Sequence, residues 1–294
     1  MDNRNFKWIY LFALSFIWGT SNFLIKKATN IFDGYQVGAL IMILSAFVLL
    51  PFGFKSLKQI KKKHISTLLI IALFSTFIPS FMWTIAIGKI GVSITTILNS
   101  LTPLNTLILG FLIFGVRFSK NQIIGLVIGF LGLVVYFTTS SFYQGSGDYI
   151  YSLLVIFSSL GYALNSNLIM NKLNDLSALS ITTATFILTF IPSLIVLYYS
   201  DFFTMCDGSS VQIKSLLYIL FKGAIGTALA MVMYNKLVKV STAVFASSVT
   251  YLIPVVALLW GYFDGEVVTL WQFISGILIL LGVYVANKLK AKRA

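Results

Sequence analysis

Long apolar stretches, separated by short polar segments, run along almost the entire chain. Each is long enough for an α-helix that crosses the hydrocarbon core of a bilayer, which takes roughly 20 mostly apolar residues. The stretches are continuous rather than alternating, so they favour helices over a closed barrel. The pattern predicts an all-α integral membrane protein with ten transmembrane helices, over residues 8–25, 35–54, 66–87, 92–114, 121–139, 150–170, 178–199, 215–235, 242–263 and 270–287.

The composition indicates the same lipid environment. Of 294 residues, 58% are hydrophobic and 10% are charged, and the mean hydropathy is +0.94, whereas a soluble domain carries about 25% charged residues. These values exclude a soluble fold of this length. The one cysteine, Cys206, excludes an intrachain disulfide and a metal site built from paired cysteines.

The net charge of +13 predicts the orientation of the chain rather than a nucleic-acid partner, because the basic residues lie between the apolar stretches. With a cytoplasmic N-terminus, sixteen of the 21 Lys and Arg residues fall in cytoplasmic segments and four in outer loops. The positive-inside rule therefore predicts that both termini are cytoplasmic. The remaining basic residue, Lys222, lies inside a predicted span.

Two proline-containing segments indicate an internal repeat. NSLTPLNTLILG (99–110) and TYLIPVVALLWG (250–261) align at an offset of 151 residues, which pairs Pro103 with Pro254. The offset corresponds to five predicted spans, and an odd number reverses the direction in which the second half enters the membrane. The sequence thus predicts two units, 1–140 with helices 1–5 and 150–288 with helices 6–10. Together they form a 5+5 inverted-topology repeat, a design found in many secondary transporters.

The two prolines also indicate where a solute could bind. A proline removes one helical hydrogen bond, so Pro103 frees the carbonyl of Asn99 and Pro254 frees that of Thr250. Both prolines fall near the middle of their spans, where transporters place a polar cavity. The predicted substrate-binding residues are Trp18, Asn22, Trp83, Asn99, Thr102, Pro103, Tyr162, Asn165, Lys222, Tyr251 and Pro254.

Each of these assignments has a structural alternative that the sequence leaves open. Proline kinks assist packing in many membrane helices, and the asparagines, Asn167 among them, could bond neighbouring helices. The aromatic residues could form packing contacts or an interfacial belt. The long stem of Lys222 could carry its ammonium group out to the membrane surface.

Acidic side chains are absent from all ten predicted spans, and the single histidine, His64, follows a basic segment. Intramembrane hydrolysis by paired carboxylates or by zinc would need residues that the chain lacks, and no glycine-rich phosphate loop is present. We therefore expect no enzymatic activity, no catalytic or metal site and no cofactor. Coupling to protons through a buried carboxylate is also unsupported.

Three segments carry a resemblance to a known family. WGTSNFLIKKA (18–28), LNSLTP (98–103) and AVFASSVTYLIPVVALLWGYFDGE (243–266) resemble the EamA family of the drug/metabolite transporter superfamily, present here as two tandem units. The resemblance implies ten helices in an inverted repeat, cytoplasmic termini and a central cavity between the halves. It also implies the export of amino acids and other small metabolites across the bacterial inner membrane.

The expected function is that of a secondary transporter for small metabolites, working by alternating access around a midplane cavity. Three alternatives stay open: a non-transporting assembly or scaffold protein, a channel, and a carrier for phosphorylated or nucleotide-sugar anions. The expected partners are a small-molecule substrate and the lipid bilayer, with no nucleic acid. A homodimer is left open.

Overall fold

The computed structural model describes residues 3–138, 149–263 and 270–287, and every regular element within them is helical. In chain order the α-helices are α1 (Asn3–Ala28), α2 (Gly34–Gly53), α3 (Lys62–Ile70), α4 (Ile78–Asn99), α5 (Thr102–Phe114), α6 (Lys120–Thr138), α7 (Tyr149–Lys172), α8 (Ala178–Tyr199), α9 (Phe202–Met205), α10 (Ser210–Phe221), α11 (Ala230–Val240), α12 (Ala243–Ser247), α13 (Val249–Phe263) and α14 (Leu270–Asn287). A 3₁₀-helix covers Phe54–Gln59, and π-helical segments cover Ile71–Phe77 and Lys222–Leu229.

Six helical segments of the described chain are long and apolar enough to cross a membrane. They are Phe6–Ala28, Gly34–Gln59, Lys62–Val92, Ile150–Lys172, Ala178–Tyr199 and Ser210–Val240. Four shorter apolar helices, Thr102–Phe114, Lys120–Gly132, Ala243–Val256 and Phe273–Ala286, occupy the places of the other four predicted spans. The all-helical prediction is confirmed, whereas the count of ten membrane-crossing helices stays a prediction.

Backbone breaks explain why one of these helices is shorter than predicted. The chain turns sharply at Gly91, whose φ of 79° suits glycine. It then leaves the helix at residues 100–101, before α5 begins. Pro103 lies in the first turn of α5, where its missing N–H costs no hydrogen bond. The expected kink within one helix over 92–114 is therefore wrong at this point, because Pro103 starts a new helix; Pro254 does lie inside α13.

The two π-helical segments recur at the spacing of the two prolines. They begin at Ile71 and at Lys222, which are 151 positions apart, and each continues directly into the next α-helix. A π-helix bonds each N–H to the carbonyl five residues back and is often found at functional sites. The same departure from α-helical bonding thus occurs at matching places in the two halves of the chain.

Glycines allow α6 and α14 to pack backbone against backbone. A Cβ on Gly125 would lie 2.5 Å from the carbonyl oxygen of Gly282, and a Cβ on Gly282 would collide with the backbone of Gly129. This is the close packing that the GLVIG segment (125–129) predicts. Large apolar side chains elsewhere face outward, as lipid contact requires, for example Phe12, Phe16, Phe47, Leu112 and Ile191.

The helices enclose two apolar clusters. One contains Leu11 and Leu14 of α1, and the other contains Ile25 farther along the same helix. Trp18 and Asn22 lie between them along α1 and face a cavity. The fold therefore places a cavity, with polar, aromatic and apolar residues in its lining, between two packed apolar regions.

Candidate functional site

The cavity is formed by residues from both halves of the chain and offers about 120 Å³ to the centres of water molecules. One water needs about 10–15 Å³ by this measure, so the space holds several waters or a small solute. The lining consists of Trp18, Asn22, Ile25, Gly38, Ile41, Met42, Ser75, Thr76, Ser80, Trp83, Thr84, Asn99, Thr102, Tyr162, Asn165, Phe186, Lys222, Gly226, Thr227, Met231, Tyr234, Thr250 and Ile253.

The structure brings most of the predicted site residues together around this cavity. Eight of the eleven line it: Trp18, Asn22, Trp83, Asn99, Thr102, Tyr162, Asn165 and Lys222. Pro103, Tyr251 and Pro254 do not line it. Both prolines are buried in the packing of their helices.

The structure places Tyr251 away from the cavity. Its side chain is 1% exposed, its ring packs against Gly129 of α6, and its hydroxyl donates to the carbonyl oxygen of Leu126 at 3.4 Å. Because residues three apart share a helix face, Thr250 and Ile253 of α13 turn toward the cavity together. Tyr251 lies on the adjacent face and faces α6.

The carbonyl that Pro103 was expected to free is already satisfied. The hydroxyl of Thr102 donates to the backbone oxygen of Asn99 at 2.6 Å and lies 3.1 Å from the Asn99 side-chain oxygen. Thr102 therefore closes the break between α4 and α5. Asn99 and Thr102 line the cavity, and the backbone oxygen of Asn99 is not left without a hydrogen bond.

Lys222 is buried inside the protein. Its side chain is 8% exposed, it begins the second π-helical segment, and its ammonium nitrogen donates to Ser21 Oγ at 3.1 Å. This geometry removes the alternative in which the ammonium group reaches the membrane surface. No carboxylate in the described part of the chain lies within ion-pair distance of Lys222.

Gly226, one turn after Lys222, makes room for this contact. A Cβ at this position would lie 2.8 Å from Lys222 Cδ and 2.8 Å from Ser21 Oγ, closer than side chains tolerate. The Gly226 carbonyl accepts a 2.9 Å hydrogen bond from the indole nitrogen of Trp18. One glycine thus leaves space for the lysine and anchors the tryptophan.

Two aromatic pairs join the halves of the chain across the cavity. The Trp18 and Tyr234 rings have centroids 5.5 Å apart, and the Trp83 and Tyr162 rings meet edge to face at 6.5 Å. The Tyr234 hydroxyl is fixed by a 2.6 Å hydrogen bond with Ser166 Oγ. Aromatic rings offer apolar contact area and a face that attracts cations.

Unpartnered polar atoms are concentrated at the cavity. Among the described residues, eight buried side-chain nitrogen or oxygen atoms have no hydrogen-bond partner. Four of them belong to lining residues: Asn22, Ser75, Thr76 and Asn165. A buried polar group without a partner costs about 1–3 kcal/mol, so these four atoms indicate a place where water or a solute completes the bonding.

The asparagines divide between the two roles that the sequence left open. Asn167 bonds a neighbouring helix, because its amide donates to the carbonyl of Thr106 at 2.9 Å. Asn22 and Asn165 each carry an unpartnered amide atom and line the cavity. The interhelical alternative therefore holds for Asn167 and does not describe the other two.

Several lining residues were missed in the sequence although the repeat offset contains them. Adding 151 to Trp83, Asn99 and Thr102 gives Tyr234, Thr250 and Ile253, all of which line the cavity. The same offset links three further lining pairs: Ser75 with Gly226, Thr76 with Thr227, and Ser80 with Met231. The offset of 151 residues, which also pairs the two prolines, was thus the sequence signal that could have identified these lining residues.

A second polar cluster joins the halves at one end of the helices, and we call it the Asp175 bridge. Asp175 Oδ2 lies 2.7 Å from Lys63 Nζ and 3.1 Å from His64 Nε2. His64 Nδ1 accepts from the backbone N–H of Lys61 at 3.1 Å, which leaves Nε2 as the donor to the carboxylate. The hydrogen bond from Lys63 is the main reason that the pKa of Asp175 is lowered to about 2.

Comparisons with known proteins agree with a membrane-transport fold. Residues 6–138 and 149–288 each match the EamA-like transporter family. An "Uncharacterized transporter" of Archaeoglobus fulgidus is 24% identical over 284 residues, which cover 95% of this chain and 98% of the relative. "Uncharacterized transporter YyaM" of Bacillus subtilis is 23% identical over 292 residues, covering 95% and 93% of the two chains. A solved structure titled "Crystal structure of protein" shares the fold, with a TM-score of 0.73, 17% identity and coverage of 95% and 96%.

Proposed function

Because the chain belongs to the EamA-like transporter family, we propose that it is a secondary transporter of small metabolites in the bacterial inner membrane. Substrate binds in the central cavity and crosses by alternating access. The observation that carries this proposal is the cavity itself, which both halves line and which holds four buried polar atoms without partners.

The proposed architecture is ten transmembrane helices in a 5+5 inverted repeat, with both termini in the cytoplasm. Three sets of features recur at an offset of 151 and support it: the prolines, the starts of the π-helical segments, and six pairs of lining positions. An inverted repeat gives inward-open and outward-open states similar free energies, as a carrier needs. The excess of Lys and Arg in the predicted cytoplasmic segments supports this orientation.

The proposed substrates are amino acids or similar small metabolites, and the proposed direction is export. A carrier for phosphorylated or nucleotide-sugar anions is less well supported, because Lys222 is the one cation in the described lining. A scaffold protein would favour a packed interior over a polar cavity. The transporter-named relatives also favour transport over an enzymatic activity.

Counterflow in proteoliposomes tests this function. Purified protein is reconstituted with a panel of unlabelled amino acids inside, and uptake of each labelled counterpart is followed over time. We expect saturable uptake that is stimulated by internal substrate. A channel would give flux without saturation or counterflow, and a scaffold would give none.

A matched pair of variants connects the flux to the cavity. Thr227→Trp places a large ring in the lining, whereas Leu217→Trp places the same ring at an exposed position on α10. Transport should fall at least about tenfold in Thr227→Trp and stay near the wild-type rate in Leu217→Trp. Equal transport by both variants would contradict passage through this cavity.

A further inference from the structure

We propose that the cavity selects solutes that carry a carboxylate, and that Lys222, held by Ser21, forms the carboxylate subsite with Asn22 beside an aromatic wall of Trp18 and Tyr234. The inference rests on the proposed function of the cavity as a solute site. It adds the chemical group that is recognised and the residues that recognise it.

The first step is the unmet bonding of the Lys222 ammonium group. An ammonium group has three N–H donors, and the described residues accept one of them, through Ser21 Oγ at 3.1 Å. A buried charge away from water needs a counter-ion or further hydrogen bonds. Because no described carboxylate pairs with Lys222, an anionic solute group supplies what the protein does not.

A neighbouring side chain adds a second hydrogen-bonding group. Asn22 directly follows Ser21 on α1, is 2% exposed, lines the cavity and has an amide nitrogen without a partner. A carboxylate has two acceptor oxygens. The ammonium of Lys222 and the amide of Asn22 therefore complement the two oxygens of one carboxylate.

The surroundings favour a carboxylate over a phosphate. The guanidinium group of one arginine binds phosphate through two parallel hydrogen bonds. The described lining contains no arginine. Lys222 supplies a single positive charge, which matches the single negative charge of a carboxylate. Phosphate carries up to two charges at neutral pH and would remain partly uncompensated.

The aromatic wall indicates what is attached to the carboxylate. Trp18 lies three residues before Ser21, on the same face of α1, and bonds to the Gly226 carbonyl one turn after Lys222. Its ring packs on Tyr234. The part of the solute next to the carboxylate therefore meets apolar ring surface, which suits amino acids with uncharged side chains.

The first test compares matched ligands on the wild-type protein. Purified protein in detergent is titrated with L-leucine, L-leucinamide, L-phenylalanine, L-phenylalaninamide and inorganic phosphate, and binding is read from tryptophan fluorescence and from the unfolding temperature. Each amide keeps the side chain and the ammonium group but lacks the carboxylate. We expect the acid of at least one pair to bind at least about tenfold more tightly than its amide, the size of a charge-assisted hydrogen bond. Equal binding within both pairs, no binding of either acid, or tighter binding of phosphate would overturn the proposal.

The second test assigns the preference to Lys222. Lys222→Met should reduce the acid-to-amide preference to about twofold or less. Lys26→Met is the control, because Lys26 lies on α1 as Ser21 does but bonds the Gly88 carbonyl at 3.3 Å and does not line the cavity. The control should keep the full preference. A preference retained in a folded Lys222→Met protein would remove the residue from the subsite.

Ser21→Ala covers the case in which Lys222→Met does not fold. It removes the hydroxyl that holds the ammonium group and should weaken acid binding several-fold with little effect on amide binding. An unchanged ratio would count against the subsite. Flux with equal rates for acids and amides would leave the transport proposal standing and overturn this one. Acid-selective binding without flux in proteoliposomes would do the reverse.

Discussion

At the scale of single residues, Gly226 controls the geometry of the cavity more than its size suggests. It leaves space for the contact between Lys222 and Ser21, and its carbonyl anchors Trp18. Two lining side chains, Lys222 and Trp18, thus depend on one position that has no side chain. The sequence shows this glycine only as one of several small residues after Lys222.

Gly226→Ala should therefore weaken carboxylate binding without unfolding the protein. The added methyl group would lie 2.8 Å from Lys222 Cδ and Ser21 Oγ, so the flexible lysine must move away from the serine. Alanine also favours a helix over glycine by up to about 1 kcal/mol, which protects the fold. We expect the affinity for L-leucine to fall about threefold or more, as measured by fluorescence titration.

Gly276→Ala is the matched control for this substitution. Gly276 lies on α14, and a Cβ there meets no atom within 4 Å. Its affinity should equal that of the wild type. A Gly226→Ala protein that binds as tightly as the control would show that the lysine contact is not needed.

Residue identities in the cavity could be predicted better than residue orientations. The polar and aromatic types in apolar stretches pointed to Trp18, Asn22 and Lys222, and all three line the cavity. The orientation of Tyr251 could not be predicted, because the face that it occupies depends on the irregular turn at Ser248, between α12 and α13. Hydrophobic periodicity carries no signal for such a turn.

At the scale of helices and loops, the side chains of the Asp175 bridge differ in burial, so their contributions to the stability of the protein can be separated. Lys63 and Asp175 are 63% and 42% exposed, whereas His64 is 2% exposed. Exposed ion pairs contribute little because water screens them. The buried imidazole, bonded on both ring nitrogens, therefore carries most of the stability of the bridge.

His64→Ala should lower the stability of the protein by roughly 1–3 kcal/mol, since it leaves the Lys61 N–H unpaired and removes a buried ring. Lys63→Ala should change it very little. Unfolding in detergent, followed by circular dichroism, compares the two. Equal losses in both variants would mean that the exposed ion pair matters as much as the buried ring.

The low pKa of Asp175 sets the pH range of its contribution. The native pKa of about 2 lies below the ordinary value of 3.8, so the stabilisation is complete above the ordinary value and is lost as the pH falls toward 2. The difference in stability between the wild type and Asp175→Asn should thus persist when the pH is lowered from 7 to 5. Its disappearance by pH 5 would show that the carboxylate is not held by Lys63 and His64.

Helix existence followed from the sequence more reliably than helix continuity. Apolar length identified one segment, Ala178–Tyr199, with the same first and last residues as the observed helix. The break before α5 falls in an apolar stretch whose only visible marker is Pro103. The π-helical segments were not predicted, because the apolar pattern indicates a helix without indicating the spacing of its hydrogen bonds.

At the scale of the whole molecule, paired positions in the two halves allow a direct test of alternating access. Ser80 and Met231 are 151 residues apart, and both line the cavity. If the halves have opposite topology, opening toward one side of the membrane exposes the two positions unequally. Substrate that shifts the equilibrium should then raise labelling at one position and lower it at the other.

The test uses Ser80→Cys and Met231→Cys in a Cys206→Ser background, because Cys206 is the one native cysteine and is exposed. Labelling rates with a membrane-impermeant maleimide are measured in oriented vesicles, with and without saturating L-leucine. We expect changes of opposite sign. Rates that rise together, or that do not respond, would favour a fixed pore.

The recurring π-helical segments have a consequence for how insertions and deletions act on this protein. A π-helix takes roughly one residue more than an α-helix over the same turns, and one residue is a rotation of about 100° around the helix axis. Thr76, Ser80 and Trp83 lie in or after the first segment, and Thr227, Met231 and Tyr234 in or after the second. In each half, the extra residue in the π-helical segment therefore determines which of the following side chains face the cavity. A single-codon deletion in either segment would turn the following stretch away from the cavity while leaving its sequence intact.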